Sequence, residues 1–192
     1  MLRVQVSDRG VLVGSSIGAV AGIAWSLWAA SGLSHLSAIA AVIVGAAGVA
    51  VGLLILVPTG LARRAAPAAQ RSPSMFSSRR YLLVAFGELA AIIVGTVVLN
   101  STGYSPYIPA WVAFVVGVHF LGFGHFFWRG FYLLGGALIA AGVIGAIVGV
   151  VGGGPSWIVV TTGILAAVSL FTSGTRVFRP APERTDQIAA AR

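Results

Sequence analysis

The chain has no cysteine and no lysine, and charge of either sign is scarce: 192 residues carry twelve arginines and four acids. The missing cysteine excludes a disulfide-stapled secreted domain and any thiolate metal site. An ordinary soluble domain is about 45–50% apolar and about 25% charged. This one is 58% hydrophobic and 8% charged, with a mean hydropathy of +0.98. Sixteen charged side chains cannot cover a water-facing surface of this size, and so much apolar material excludes disorder for most of the chain. The class left is an all-α polytopic membrane protein.

The positions of the charges divide the chain. Residues 10–62 carry none, residues 81–128 carry only Glu88, and residues 130–175 carry none. A spanning helix needs about 20 predominantly apolar residues, so each stretch holds two helices and a turn. The expectation is six spans in three hairpins. Turn residues set the cuts. Span 1 covers residues 11–30 and span 2 residues 37–57, ended by Pro58. Span 3 covers residues 81–100 and span 4 residues 109–128, with Pro109 at its first helical position. Span 5 covers residues 131–151 and span 6 residues 156–173, after the break at Gly152-Gly153-Gly154-Pro155. The chain thus divides into an N-terminus (1–10), spans 1–2 (11–57), a loop (58–80), spans 3–6 (81–175) and a tail (176–192). The first span is too long for a signal-peptide apolar region of about 7–15 residues, so it is read as retained.

Every arginine falls on one side of this arrangement. Arg3 and Arg9 lie before span 1, and Arg63, Arg64, Arg71, Arg79 and Arg80 lie around the loop 58–80. Arg129 follows span 4, and Arg176, Arg179, Arg184 and Arg192 are in the tail. The positive-inside rule places both termini in the cytoplasm, for a multi-pass protein of the cell membrane. The loop arginines are expected to meet anionic lipid headgroups, each worth about 1 kcal/mol near such a surface. The formal charge of +8 does not indicate nucleic-acid binding, because the arginines form no aromatic-interleaved patch.

Glycine, with 26 residues, is patterned. Gly14, Gly18 and Gly22 repeat every fourth residue on span 1, as do Gly48 and Gly52 on span 2 and Gly145 and Gly149 on span 5. Small residues let backbones approach in lipid, where burial alone brings no helices together. Spans 1, 2 and 5 are therefore expected at the packed centre, with these faces serving either the single chain or a homo-oligomer.

Ionisable groups inside a bilayer are costly and default to function. Glu88 lies eight residues beyond Arg80, and His119 lies ten before Arg129 on the next, oppositely directed span. At 1.5 Å per residue they sit about 12 and 15 Å from one boundary, close enough in depth to pair. Hydrocarbon disfavours charge on either, and a neutral acid facing a neutral imidazole is the minimal part of a proton relay. The alternative is an interhelical hydrogen bond worth about 0.6–2 kcal/mol. His125 stands at the interface end of span 4, where capping or snorkelling suits it. It is six residues from His119, about 600° of rotation, which is poor geometry for a shared metal. His35 sits in a turn with no acidic or histidine neighbour in sequence. There is no H-E-x-x-H, phosphate loop or dinucleotide fingerprint. No cofactor or metal is expected, and an enzyme is the least favoured class. A small transporter or channel-like protein using Glu88 and His119 leads. A non-catalytic scaffold or assembly partner packed through the glycine faces is the alternative.

The stretch Gly117-Val118-His119-Phe120-Leu121, with Phe126 or Phe127 and then Tyr132 beyond the arginine turn, resembles a pattern in small bacterial six-helix integral membrane proteins of unassigned function. These have a G-x-H-F segment before an arginine turn. The resemblance covers a short part of the chain; it implies a bacterial inner membrane and adds weight to His119, but implies no substrate.

Overall fold

The computed structural model describes residues 9–65, 79–126 and 129–175, all of them helices and short turns. The helices are α1 (Arg9–Ser34), α2 (Ala38–Ala65), α3 (Arg79–Ser101), α4 (Ile108–Phe126), α5 (Gly130–Val150) and α6 (Gly154–Gly174). All six are long and apolar enough to cross a membrane. A 3-10 turn, Ser105–Tyr107, leads into α4, and Pro109 lies in that helix's first turn, where its missing N–H costs nothing. Positive φ at Gly152 (91°) and Gly154 (74°), conformations that glycine adopts without strain, reverses the chain between α5 and α6.

The surface is inverted relative to a water-soluble protein. Ile39, Leu54, Leu133 and Val150 are between 69% and 79% exposed, whereas Ser15, Ser26, Thr59 and Thr162 are buried. An apolar exterior this continuous is suited to hydrocarbon rather than water.

Two expectations change. Pro58 does not end the second helix, which continues to Ala65 with the proline inside it. The helix continues because Ile55, Thr59 and Ala62, at i, i+4 and i+7, are all buried on one face. The Thr59 hydroxyl also donates to the Ile55 carbonyl at 2.5 Å, inside the turn the proline weakens. The second change is the centre. In contact order the helices run α2–α1–α6–α5–α4–α3, with α6 touching α1 and α5 and, more lightly, α2 and α4. The central cluster is Trp25, Ala113, Leu134, Leu138, Ala166, Ala167 and Leu170, from α1, α4, α5 and α6. The glycines of α2 bring it against α1 alone, and its other face is large and aliphatic, so α2 sits at an edge.

Several close approaches between helices bring backbone against backbone or against a single methyl group. A Cβ on Gly117 of α4 would fall 2.7 Å from the Gly135 carbonyl oxygen of α5, and one on Gly135 would fall 2.7 Å from the Gly117 carbonyl oxygen. One heptad along, a Cβ on Gly142 would fall 2.5 Å from the Ala110 carbonyl oxygen. Across α1 and α6, a Cβ on Gly163 would lie 2.8 Å from the Ala29 Cβ. Backbone cannot rotate aside as a side chain can, so Gly117→Ala or Gly135→Ala is expected to destabilise the protein by about 1–3 kcal/mol. Gly14 has nothing within 4 Å, and Gly14→Ala is expected to stay within about 0.5 kcal/mol of wild type. Unfolding of the detergent-solubilised variants checks both.

Candidate functional site

Helix α3 packs against one other helix, α4. Its contact face is Tyr81, Val84, Glu88, Ala91 and Gly95, spaced at three and four residues so that they align along the helix. Opposite them in antiparallel order stand Phe123, Gly122, His119 and Trp111 of α4. The Tyr81 and Phe123 rings stack at 5.3 Å, and a Cβ on Gly122 would be in ordinary contact with Val84 at 3.5 Å. At the far end Trp111 lies over Gly95, which has no side chain to obstruct it, and donates from Nε1 to the Ala91 carbonyl at 3.1 Å.

Between these contacts Glu88 and His119 meet. The His119 Nδ1 is 3.0 Å from the Glu88 Oε2, and the side chains are only 10% and 21% exposed, respectively. The atoms are at hydrogen-bond distance but out of the alignment of a full bond, and Nδ1 has no other hydrogen-bond partner. The imidazole is enclosed by rings: Phe123 is edge-on at 4.1 Å and Phe120 edge-on at 5.5 Å. Phe120 in turn stacks on Phe131 of α5 at 5.6 Å. No arginine lies between Arg80 and Arg129, so no cationic side chain from α3 or α4 shares this depth. Chemically the pair can share or pass a hydrogen, and the rings around it hold the imidazole in place.

The other candidates are placed as follows. His125 is exposed at the end of α4 and His35 is exposed in the turn after α1. Gly18 faces Leu170 and Gly174 of α6, and Gly22 lies under Phe171. Gly48 meets Ser26, and Gly52 meets Ile23 and Ala19, all on α1. Gly145 meets Thr162 and Ile158 of α6, and Gly149 meets Ile158 and Tyr107. Except for Gly14, these glycines therefore pack within the chain. Arg63, Arg64 and Arg79 are exposed at the ends of α2 and α3, and Arg80 is in the first turn of α3. Arg71 lies outside the described residues. Among the described residues no group of three His, Cys, Asp or Glu is placed to hold a metal ion.

Sequence reasoning missed two parts of this face and the α4–α5 seam behind it. Trp111 reads as one more interfacial aromatic until Gly95, seven residues from Glu88, is seen as its seat. Phe120 and Phe123 read as ordinary apolar residues. The Gly117–Gly135 and Gly142–Ala110 contacts escape a search for glycines four apart, because they recur at seven.

Comparison with protein-family models, with curated proteins and with solved structures found no match.

The chain's lack of native cysteine allows a direct test of the α3–α4 register. Val84→Cys with Gly122→Cys is expected to form a disulfide on mild oxidation, read as loss of free thiol, because the two side chains would be adjacent. Val84→Cys with Gly52→Cys is expected to remain reduced, since α2 and α3 are not in contact.

Proposed function

We propose that this chain is a small multi-pass membrane protein of the transporter or channel class, in which Glu88 and His119 handle a proton or a small ion. The observation that carries the reading is their 3.0 Å approach on a face where both are mostly buried. Glu88 is the only acid between residues 9 and 182, and an intramembrane carboxyl is retained against a cost of several kcal/mol. On this reading the helices form three hairpins with both termini in the cytoplasm of a bacterium. The arginines Arg63, Arg64, Arg71, Arg79 and Arg80 then rest among anionic headgroups, and Gly14 is the one ladder position left for a second copy.

A second reading, a scaffold in which the pair only ties α3 to α4, has its own support. One groove of about 550 Å³ is lined by residues including Leu99, Tyr104, Trp111, Phe114 and Val150, and another of about 670 Å³ runs along α1 and α2. Neither is lined by Glu88 or His119.

Reconstitution separates the two. Proteoliposomes under an imposed pH or ion gradient are expected to dissipate it with wild-type protein and to hold it with Glu88→Gln, a change that keeps the side chain's shape. Equal rates in the two, with a measurable wild-type rate, support the scaffold.

A further inference from the structure

Resting on the transport reading, we infer that the species passed at the Glu88–His119 pair is the proton, and not a metal ion or an organic cation. Three features of the site converge on it. The first is donor count. Hard cations are held by about six or more oxygens, and a selectivity filter supplies them as rings of carbonyls. Among the described residues the donors around this pair are one carboxyl, one imidazole and, beyond Phe123, the Tyr81 hydroxyl, while Val84, Ala85, Phe120 and Phe123 offer no oxygen from their side chains, and the carbonyls of the two helices serve the helices' own hydrogen bonds.

The second feature is spacing. At 3.0 Å, Nδ1 and Oε2 are already at the distance of a shared hydrogen. A metal ion bound to both atoms at about 2.0–2.6 Å would sit off the line between them, and its remaining ligands would have to come from the apolar side chains around the pair.

The third feature is the surrounding rings. An aromatic cage recognises an organic cation with ring faces turned to an open space. Here Tyr81 stacks on Phe123 at 5.3 Å and Phe120 on Phe131 at 5.6 Å, while Phe123 meets the imidazole edge to face at 4.1 Å. Each of the four stacked rings thus has one face covered by another ring rather than turned to an open space.

The transfer balances within the pair. A protonated Glu88 gives its hydrogen to the lone pair on Nδ1, leaving a carboxylate beside an imidazolium. Loss of the hydrogen on Nε2 then leaves a neutral ring with its hydrogen on Nδ1, the next proton is taken up by the carboxylate, and exchange of the ring hydrogen from Nδ1 back to Nε2 restores the lone pair for the next transfer. The described rings in contact with His119 or with its ring neighbours are Phe120 and Phe123 of α4, Phe131 of α5 and Tyr81 of α3, and of these Tyr81 carries a titratable group.

The test uses full-length protein in liposomes of defined composition, with three probes in parallel: a pH-sensitive dye under a potassium diffusion potential, radioactive sodium, and tetraphenylphosphonium. Proton flux is expected in wild type, to fall at least about tenfold in Glu88→Gln, and to be unchanged when sodium is replaced by choline. Glu88-dependent flux of sodium or tetraphenylphosphonium overturns the proton assignment while leaving the transport reading intact. An absence of Glu88-dependent flux of any probe overturns both. Glu88→Asp, which keeps the carboxyl, guards against a folding defect: retained proton flux supports the assignment. Infrared difference spectra on changing pH supply a readout without transport, with a carboxyl band expected in wild type and missing in Glu88→Gln. A wild-type spectrum without that band contradicts proton exchange at Glu88.

Discussion

How closely two helix backbones approach is the constraint on which this structure depends. In a bilayer, helices this apolar would gain little by hiding aliphatic side chains from an equally aliphatic surrounding, so their association there would rest on dispersion contact at short range. Glycine sets that range. Where Gly117 and Gly135 face one another backbone atoms meet with no side chain between them, and where Gly163 faces Ala29 only a methyl group intervenes. The helices joined in this way, α1, α6, α5 and α4, hold the central cluster.

Helix α3 is the exception. Its outward face is Leu82, Leu83, Phe86, Leu89, Ile93, Val94 and Val97, all exposed, and its single helical neighbour is α4. Only Gly95 among its residues admits a close approach, and what enters there is the Trp111 ring rather than backbone. Polar contacts take the place of the missing glycine seam: the indole N–H on the Ala91 carbonyl and the Glu88–His119 pair. The carboxyl therefore sits on the helix with the fewest packing partners, where a change in one side chain has the least resistance to overcome. An element that moves in a functional cycle is drawn from the less stable parts of a fold.

Much of this was legible in the sequence because charge and turn chemistry act locally. The charge-free stretches and the breaks at Ser31–Leu36, Ser101–Tyr107 and Gly152–Pro155 place six helices to within a few residues, except at the end of α2. The Glu88–His119 approach follows from two depths measured along antiparallel helices, which needs no tertiary knowledge. The order of packing was not legible. Glycines four apart announce that a helix has a close neighbour but not which one, so Gly18 and Gly22 gave no sign that α6 would cover them. Pro58 misled because a proline's local cost is readable whereas the burial of Thr59 and Ala62 beyond it is a tertiary fact. The aromatic enclosure of His119 was hidden for the same reason, since Phe131 arrives from another helix.

The central claim is that Glu88 and His119 interact directly across α3 and α4. A double-mutant cycle on stability, from Glu88→Gln, His119→Gln and the double variant in one detergent, measures that interaction alone. A coupling of about 0.6–2 kcal/mol is expected. Strictly additive effects would contradict a direct contact, and with it the pairing on which the functional reading stands.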